Sequence, residues 1–203
     1  MSLYDEYILP HVINCACGMK AIAKQRAKVV PLAQGEVLEI GMGSGLNLKY
    51  YDPKRVTQVW GLEPSIGMQR KAAKNLASSP VSVEWLVAGC EAIPLSDNSI
   101  DTVMLTYALC TIPDWAAALH EIRRVLKPTG TLVFCEHGEA PDANVKKWQQ
   151  KINPMWKKIA GGCNLNRPIP SLLSESGFTI SDLQQHYIPG PKIATYQYYG
   201  TAQ

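Results

Sequence analysis

Short apolar runs alternate with longer amphipathic stretches along most of this 203-residue chain. The apolar runs are rich in Val, Leu and Ile and are bounded by Gly, Pro or Asp, which is typical of buried parallel strands. They lie at residues 36–41, 56–62, 81–86, 100–106 and 130–136. Ser65 is a predicted N-cap for a helix over residues 66–77, and Asp114 is a second predicted cap. The helix after Asp114 is predicted over residues 115–126. The alternation predicts an α/β fold whose parallel sheet is flanked by helices.

The two flanks of this core carry different patterns. Residues 3–33 predict two helices that are interrupted near Cys17 and Gly18. The second half predicts two helices and then two strands, over residues 144–160, 168–176, 178–188 and 193–202. The two strands are joined too tightly to be parallel neighbours, because a parallel crossover needs about a dozen residues or more. We therefore expect an antiparallel hairpin at one edge of the sheet.

The first apolar run ends in a glycine-rich turn. Residues 37–45 read Val-Leu-Glu-Ile-Gly-Met-Gly-Ser-Gly. Glycine tolerates positive φ, so the backbone can turn sharply and approach a ligand closely. Glu63 closes the next run 22 positions beyond Gly41, about the spacing at which a carboxylate accepts hydrogen bonds from a ribose diol. Leu46 stands where the dinucleotide fingerprint needs its third glycine, which disfavours a nicotinamide cofactor.

Four separated segments resemble the motifs of class I S-adenosylmethionine-dependent methyltransferases, in the order of that family. They are residues 39–45, 63–65, 88–95 and 124–130. The resemblance implies a Rossmann-like, seven-stranded, mostly parallel sheet in the order 3-2-1-4-5-7-6, with an antiparallel C-terminal hairpin and N-terminal lid helices. It also implies S-adenosylmethionine as the cofactor.

The resemblance assigns cofactor contacts around the end of the first strand, where ligands of open α/β sheets bind. The backbone N–H groups of Gly41, Gly43 and Gly45 would meet the methionine carboxylate, and Glu39 would face the ammonium group. The other implied contacts are Glu63 and Pro64 at the ribose, Cys90 and Glu91 at the adenine, and Thr106 and Tyr107 under the transferable methyl group. A thiol is a poor partner for the adenine amine, so backbone groups or Glu91 are the expected polar contacts there.

The second half resembles a narrower family, the methyltransferase-like family that includes the animal alkyl-thiol methyltransferases. The segments that carry this resemblance are 135–138, 148–150, 153–156 and 162–167, taken with 37–48. The resemblance implies methyl transfer to a small apolar acceptor, with a thiol sulfur as the first expectation. The animal members carry an N-terminal membrane anchor, and no such segment occurs here, so we expect no stable membrane anchor.

His137 is the candidate catalytic base. It follows the fifth strand, and an imidazole titrates in the range needed to assist a thiol whose pKa is about 8.5. A histidine that caps the strand or bonds a backbone carbonyl is the alternative. The candidate acceptor contacts are Trp148, Asn153 and Arg167 in the second half, and Tyr7 and His11 in the lid segment. For Trp148, ordinary packing of its helix on the sheet is the favoured alternative, and for Arg167 an ion pair with a surface carboxylate stays open.

Two other functions stay open at this point. One is C- or N-methylation of a quinone precursor or a lipid headgroup. The other is a protein that binds S-adenosylmethionine without catalysis.

Composition narrows the class of protein. With 46% hydrophobic residues, the chain is long enough for one core and short for two. We expect one domain over residues 1–203, divided into N-terminal helices (1–33), a cofactor-binding core (34–138) and acceptor-side helices with the hairpin (139–203). The formal charge of +3 is mild and the basic residues are dispersed, so the expected partner is a small molecule and not a nucleic acid. The oligomeric state is not predicted.

The cysteines indicate a reducing environment. Six occur, with no C-x-x-C and no Cys/His cluster at zinc spacing, so no metal site is expected. No run approaches the roughly 18 apolar residues of a membrane helix, and no secretory leader is evident. We expect a cytoplasmic protein with free thiols.

Overall fold

The computed structural model describes residues 7–203. In that range the chain forms seven strands, β1 (Gly35–Ile40), β2 (Val56–Leu62), β3 (Val83–Leu86), β4 (Ile100–Thr106), β5 (Leu126–His137), β6 (Ile180–Tyr187) and β7 (Tyr196–Ala202). The α-helices are α1 (Leu9–Cys17), α2 (Lys20–Val29), α3 (Ile66–Ala77), α4 (Trp115–Val125), α5 (Ala143–Ile159), α6 (Ile169–Glu175) and α7 (Lys192–Thr195). Short 3₁₀ turns lie at Val30–Leu32 and Leu48–Tyr50.

All seven strands form one sheet in the order β3-β2-β1-β4-β5-β7-β6. The first five strands pair in parallel, and β7 pairs antiparallel with both β5 and β6. The sheet order and the antiparallel hairpin predicted by the resemblance are therefore confirmed. Strand order reverses between β1 and β4, and their carboxyl ends open the crevice in which ligands of such sheets bind.

The centre of the sheet is mainly apolar, as expected of parallel strands that are covered on both faces. Val37, Leu38, Val103 and Leu105 are all completely buried, as is Phe134 on β5. No helix among residues 7–203 combines the length and apolar character needed to cross a bilayer.

The helix caps follow the sequence closely. The Ser65 hydroxyl accepts a hydrogen bond from the N–H of Met68 at the start of α3, and Asp114 accepts one from Ala117 at the start of α4. At the N-terminal side, the predicted break near Cys17 is present, since α1 ends at that residue and α2 begins at Lys20. Residues 3–6 of the predicted helical range lie outside the described residues.

Two strand boundaries differ from the sequence prediction by three residues or more. Strand β5 begins at Leu126, because the chain pairs with Ile100 as soon as α4 ends. Pro128 is tolerated there because the register shifts at this end of the ladder, where a missing N–H costs little. Residues 193–195, predicted as strand, instead close one helical turn in which the Ile188 N–H bonds the Thr195 carbonyl.

The cap of α4 gives a test of the local structure. Asp114→Ala should lower the free energy of unfolding by about 1 kcal/mol, because the Ala117 N–H loses its side-chain acceptor. Asp114→Asn is the matched control, since asparagine caps as well as aspartate, and it should keep most of the stability. Urea unfolding measures both. Equal losses in the two variants would mean that charge, and not capping, is what Asp114 contributes.

Candidate active site

A cavity of about 350 Å³ opens at the carboxyl ends of β1, β2 and β4, beneath α1. This volume lies in the range of small-molecule sites. The sequence-predicted residues that line it are Gly41, Gly43, Glu63, Pro64, Cys90, Glu91, Thr106 and Tyr107. The cavity therefore brings together side chains from three strand ends.

The glycine loop is held to β2 by Glu63. One carboxylate oxygen of Glu63 accepts the N–H of Gly43 at 3.0 Å, and the other accepts the N–H of Ser65 at 2.8 Å. Gly43 has a φ of 59°, a conformation that only glycine adopts without strain. Burial raises the pKa of Glu63, although the two N–H groups act in the opposite direction. A carboxylate offers about four lone-pair sites, so Glu63 keeps capacity for two hydroxyl donors.

The opposite wall comes from the segment after β3. Ala88, Gly89, Cys90 and Glu91 line the cavity there. Burial, reinforced by the nearby Glu91, raises the pKa of the Cys90 thiol to about 12, so the thiol is neutral at physiological pH. A neutral thiol beside the Glu91 carboxylate therefore lines this side of the cavity.

Arg26, on α2, is the only cation among the described residues that line the cavity. Its guanidinium is buried and donates to Asn47 at 2.7 Å and to Thr106 at 2.9 Å. It also lies 5.1 Å from the centre of the Tyr107 ring. The Nε atom of Arg26 is buried and has no hydrogen-bond partner in the described structure. Arg26 thus retains a free donor at the cavity wall.

Glu39 lies behind this wall and does not line the cavity. Its carboxylate accepts hydrogen bonds from Asn47 at 3.0 Å and from the Tyr51 hydroxyl at 2.7 Å. Asn47 in turn donates to Thr106, so Glu39 is one shell further from the cavity than Arg26. Burial raises the pKa of Glu39 to about 7, while Tyr51, Arg26 and Asn47 all favour its charged form. The direct contact with an ammonium group that the resemblance implied is not part of this arrangement.

Helix α1 covers the cavity with one face. That face consists of Leu9, Pro10, Ile13, Asn14 and Cys17. Asn14 also accepts a hydrogen bond from the Ser44 hydroxyl at 2.6 Å, which ties the helix to the glycine loop. His11 points elsewhere, because six residues before Cys17 correspond to about 240° around a helix. His11 contacts Lys71 and is exposed, as is Tyr7.

Glu136, at the end of β5, organises the loop after β4. Its buried carboxylate accepts the N–H groups of Ala108 at 2.7 Å, Leu109 at 3.0 Å and Cys110 at 3.4 Å. The loop enters this turn through Tyr107, whose φ of 55° is rare for a residue with a side chain. The three N–H groups compensate part of the strain by binding one anion. The turn places Ala108, Thr111 and Ile112 on the cavity wall.

His137 lies behind the cavity, in a cluster with two cysteines. Its Nε2 atom is 3.2 Å from the sulfur of Cys163, and the donor atoms of Cys110, His137 and Cys163 lie within 4.8 Å of one another. Burial lowers the pKa of His137, but contacts with Cys163 and Glu136 outweigh this and raise it. His137 does not line the cavity. On the cavity wall, Cys17 lies near this cluster. Burial raises the pKa of Cys17, and the electrostatic effect of Cys163 raises it further.

The three acceptor residues expected from the second half do not line the cavity either. Trp148 is 54% exposed, because α5 packs through the neighbouring buried Gln149. Asn153 bonds the backbone N–H of Leu165 at 2.8 Å and the Asn164 side chain. Arg167 binds the carbonyls of Leu109 and Ile112. Asn153 and Arg167 therefore hold the loops that surround the cysteine cluster.

Sequence reasoning missed Arg26 and Glu136. Each charge lies close to an apolar run in the sequence. Arg26 precedes buried Val29 and Val30 by one helical turn, and Glu136 follows the buried segment Leu132–Cys135. Glu136 also repeats the signal that identified Glu63, an acidic residue at the end of an apolar run. The Cys110, His137 and Cys163 cluster gave no local signal, since 26 positions separate His137 from Cys163.

Comparisons with known proteins agree with this geometry. The profile of a family described as a methyltransferase domain matches residues 38–134. A SAM-dependent methyltransferase from Leishmania major has the same fold, with a TM-score of 0.73 over 98% of this chain and 80% of its own at 17% identity.

Curated relatives extend the match. Human thiol S-methyltransferase TMT1B is 34% identical over 165 residues, which cover 78% of this chain and 66% of the relative. The chain thus spans just under two thirds of that protein's length. A ubiquinone/menaquinone biosynthesis C-methyltransferase from Campylobacter jejuni (strain RM1221) is 29% identical over 124 residues, covering 60% of this chain and 49% of its own.

The fold, the glycine loop and these matches are those of class I methyltransferases that use S-adenosylmethionine. Within that class, the chain is similar to the thiol S-methyltransferases TMT1A and TMT1B.

Glu39 should make stability depend on pH. Its native pKa of about 7 exceeds the ordinary value of 4.5, so the native state keeps a proton that the unfolded chain releases. The stability from this group is fully present below pH 4.5 and is lost as pH rises through 7. As pH rises across this range, the parent should lose on the order of 2–3 kcal/mol of unfolding free energy relative to Glu39→Gln, which lacks the ionisable group.

Urea unfolding at several pH values measures that difference. Glu84→Gln, at an exposed position of β3, is the matched control for the loss of a carboxylate. A Glu39→Gln difference that does not change with pH would show that the pKa of Glu39 is not raised in the native state.

Glu63 should be needed for cofactor affinity. In Glu63→Gln, the amide group presents donors where the Gly43 and Ser65 N–H groups and a ribose diol all need acceptors. Charge-assisted hydrogen bonds contribute about 1.5–3 kcal/mol, so the Kd for S-adenosylmethionine should rise about 10- to 100-fold. Calorimetric titration of Glu63→Gln against Glu84→Gln tests this. An unchanged Kd in folded Glu63→Gln would exclude a contact with the cofactor.

Proposed function

We propose that this protein transfers a methyl group from S-adenosylmethionine to the sulfur of a small thiol. The similarity to thiol S-methyltransferase TMT1B over 78% of the chain carries the choice of acceptor. Methylation of a quinone precursor is less well supported, because the corresponding relative matches less of the chain at lower identity. Nothing in the site favours a lipid headgroup or a non-catalytic role.

The proposed cofactor contacts follow the cavity wall. The N–H groups of the glycine loop and the free donor of Arg26 bind the methionine carboxylate. Glu63 binds the ribose hydroxyls, and the segment from Ala88 to Glu91 flanks the adenine. Thr106 and the turn at Tyr107 lie near the sulfonium. Glu39 acts indirectly, by fixing Asn47 and through it Arg26 and Thr106.

The acceptor enters at the wall formed by Ile13, Cys17, Thr111 and Ile112, which is mainly apolar. An apolar wall excludes water from the reacting sulfur and favours small apolar thiols over charged ones. The sulfonium methyl is already activated, so alignment of the thiolate supplies most of the rate enhancement, on the order of 7–11 kcal/mol. In the transfer, the thiolate sulfur bonds the methyl carbon while the carbon–sulfonium bond breaks, leaving S-adenosylhomocysteine and a thioether.

The acceptor must lose its proton, and His137 is the group that we propose promotes this loss. A free thiol of pKa about 8.5 is only a few per cent ionised near neutral pH. His137 does not line the cavity, so its effect on the acceptor is indirect.

We further propose that the described elements act as one domain and that the protein works in a reducing compartment such as the cytoplasm. Support for the compartment comes from the cysteines, all six of which are free thiols.

An acceptor panel tests the reaction. Purified protein with S-adenosylmethionine and small thiols, including sulfide, should form S-adenosylhomocysteine above a blank without acceptor. The matched alcohols serve as the control for the acceptor atom and should give none. Equal turnover with thiols and alcohols, or turnover only with amines or quinone precursors, would refute sulfur as the acceptor.

His137→Ala tests the ionisation step. We expect kcat/KM to fall on the order of 100-fold near neutral pH. The loss should shrink as pH approaches the thiol's own pKa of about 8.5, because the acceptor then ionises without help. His120→Ala, on the exposed face of α4, is the control. A loss in His137→Ala that is the same at every pH would indicate a structural role.

A further inference from the structure

Three potential metal ligands meet behind the acceptor wall. Cys110 comes from the loop after β4, His137 from the end of β5, and Cys163 from the loop after α5. Their donor atoms all lie within 4.8 Å of one another. A tetrahedral zinc ion with bonds of about 2.0–2.3 Å places its donor atoms about 3.5–3.8 Å apart. A small contraction of the cluster is enough to meet this geometry.

The polar groups of the cluster have only weak partners. His137 Nε2 faces the sulfur of Cys163, and its other ring nitrogen, Nδ1, is buried without a hydrogen-bond partner in the described part of the chain. The Cys110 sulfur has contacts of 3.8 Å to the Tyr107 carbonyl and 3.5 Å to the Thr111 hydroxyl. Thiols are weak donors and acceptors, so these contacts do not account for gathering an imidazole and two thiols at one partly buried place.

The backbone around the cluster is fixed from several sides. The carbonyl of Cys110 accepts hydrogen bonds from both the N–H and the side chain of Asn164, at 2.8 Å each. Its N–H donates to Glu136. Arg167 binds the carbonyls on either side of Cys110, those of Leu109 and Ile112. Ligands held this rigidly before the metal arrives are the requirement for a defined metal site.

The donor set selects the metal. Two thiolates and one imidazole are typical of zinc, and three protein ligands leave a fourth position open. The space beside that position is the cavity wall, since Thr111 follows Cys110, Gly161 precedes Cys163 by two residues, and Cys17 lies within electrostatic range of Cys163.

We propose that Cys110, His137 and Cys163 bind a zinc ion whose fourth coordination position takes the sulfur of the acceptor thiol. The role of the ion rests on the proposed function, whereas its binding does not. On coordination, the thiol gives its proton to solvent and its sulfur becomes a zinc-bound thiolate. That sulfur then bonds the methyl carbon as the carbon–sulfonium bond breaks, and the neutral thioether leaves the metal. His137 would thus assist ionisation as a ligand of the ion and not as a base.

Cobalt(II) titration tests the site without turnover. Reduced protein, freed of metal with a chelator, should bind one cobalt ion per chain with a thiolate-to-cobalt charge-transfer band. His137→Ala and Cys163→Ala should weaken this binding more than about 100-fold, because even loss of an outer-shell partner costs about 10- to 100-fold. Cys15→Ser, at an exposed position of α1, should bind like the parent. His137→Cys restores a ligand and should recover the band.

The parent protein alone decides whether the site exists, so misfolding of a variant cannot hide its absence. No saturable cobalt band in the parent, or an unchanged band in both ligand variants, would overturn the proposal. Cys17→Ser checks the open position. If it weakens cobalt binding as much as Cys163→Ala does, Cys17 closes the site and the acceptor cannot bind the metal, which also overturns the proposal.

Addition of a small thiol to the cobalt-loaded protein should alter the charge-transfer band, and the matched alcohol should not. Absence of this change would refute the role of the fourth position. The acceptor panel is a separate measurement. Thiol methylation that persists in fully metal-free protein would overturn the zinc proposal and leave the proposed function standing. Cobalt and thiol binding without methyl transfer would overturn the proposed function and leave the metal site standing.

Discussion

Two buried carboxylates at the carboxyl edge of the sheet determine the shape of the site. Glu136 accepts three consecutive backbone N–H groups from the loop after β4, and Glu63 accepts N–H groups from the glycine loop and from the start of α3. Each carboxylate replaces the sheet ladder that its loop has left, so neither loop exposes unpaired N–H groups in the interior. The turn at Tyr107 and the position of Cys110 both depend on Glu136, because the same three bonds fix them. Without this carboxylate, no hydrogen bonds would compensate the strained backbone of the loop at Tyr107.

The fold is predictable from the sequence because short segments carry the signals for its strands and helix starts. Periodicity located the five parallel strands, and Ser65 and Asp114 marked the helix starts with the side chains that cap them. The exceptions are informative. Strand β5 starts before Pro128 because tertiary pairing with β4 overrides the turn signal of Pro-Thr-Gly, and Pro191 begins a helical turn where apolar residues indicated a strand.

The same contrast between local and long-range signals holds for the site. Gly43 and Glu63 line the cavity next to strand ends, and the spacing of glycines and acidic residues along the chain predicts both positions. The cysteine cluster behind the cavity is assembled from residues that are far apart in the chain. Whether Trp148 faces the cavity depends on which side of α5 packs inward, and the burial of Gln149 decided it. Asn153 and Arg167 are predicted acceptor contacts, but in the structure their side chains form hydrogen bonds with the surrounding loops. No spacing rule could have gathered Cys110, His137 and Cys163.

The position of β7 within the sheet affects how the protein folds during its synthesis. Strand β7 lies between β5 and β6, although it follows both in the chain. Until residues 196–202 have been synthesised and have paired with β5, the outer edge of β5 has unpaired backbone groups next to Phe134 and Cys135. Such an edge can pair with a strand of another molecule. Gln197 on β7 also pairs with His137 and binds the Tyr107 hydroxyl. A nascent chain can therefore assemble the parallel core early, but it stays both vulnerable to aggregation and incomplete at the site until the hairpin closes.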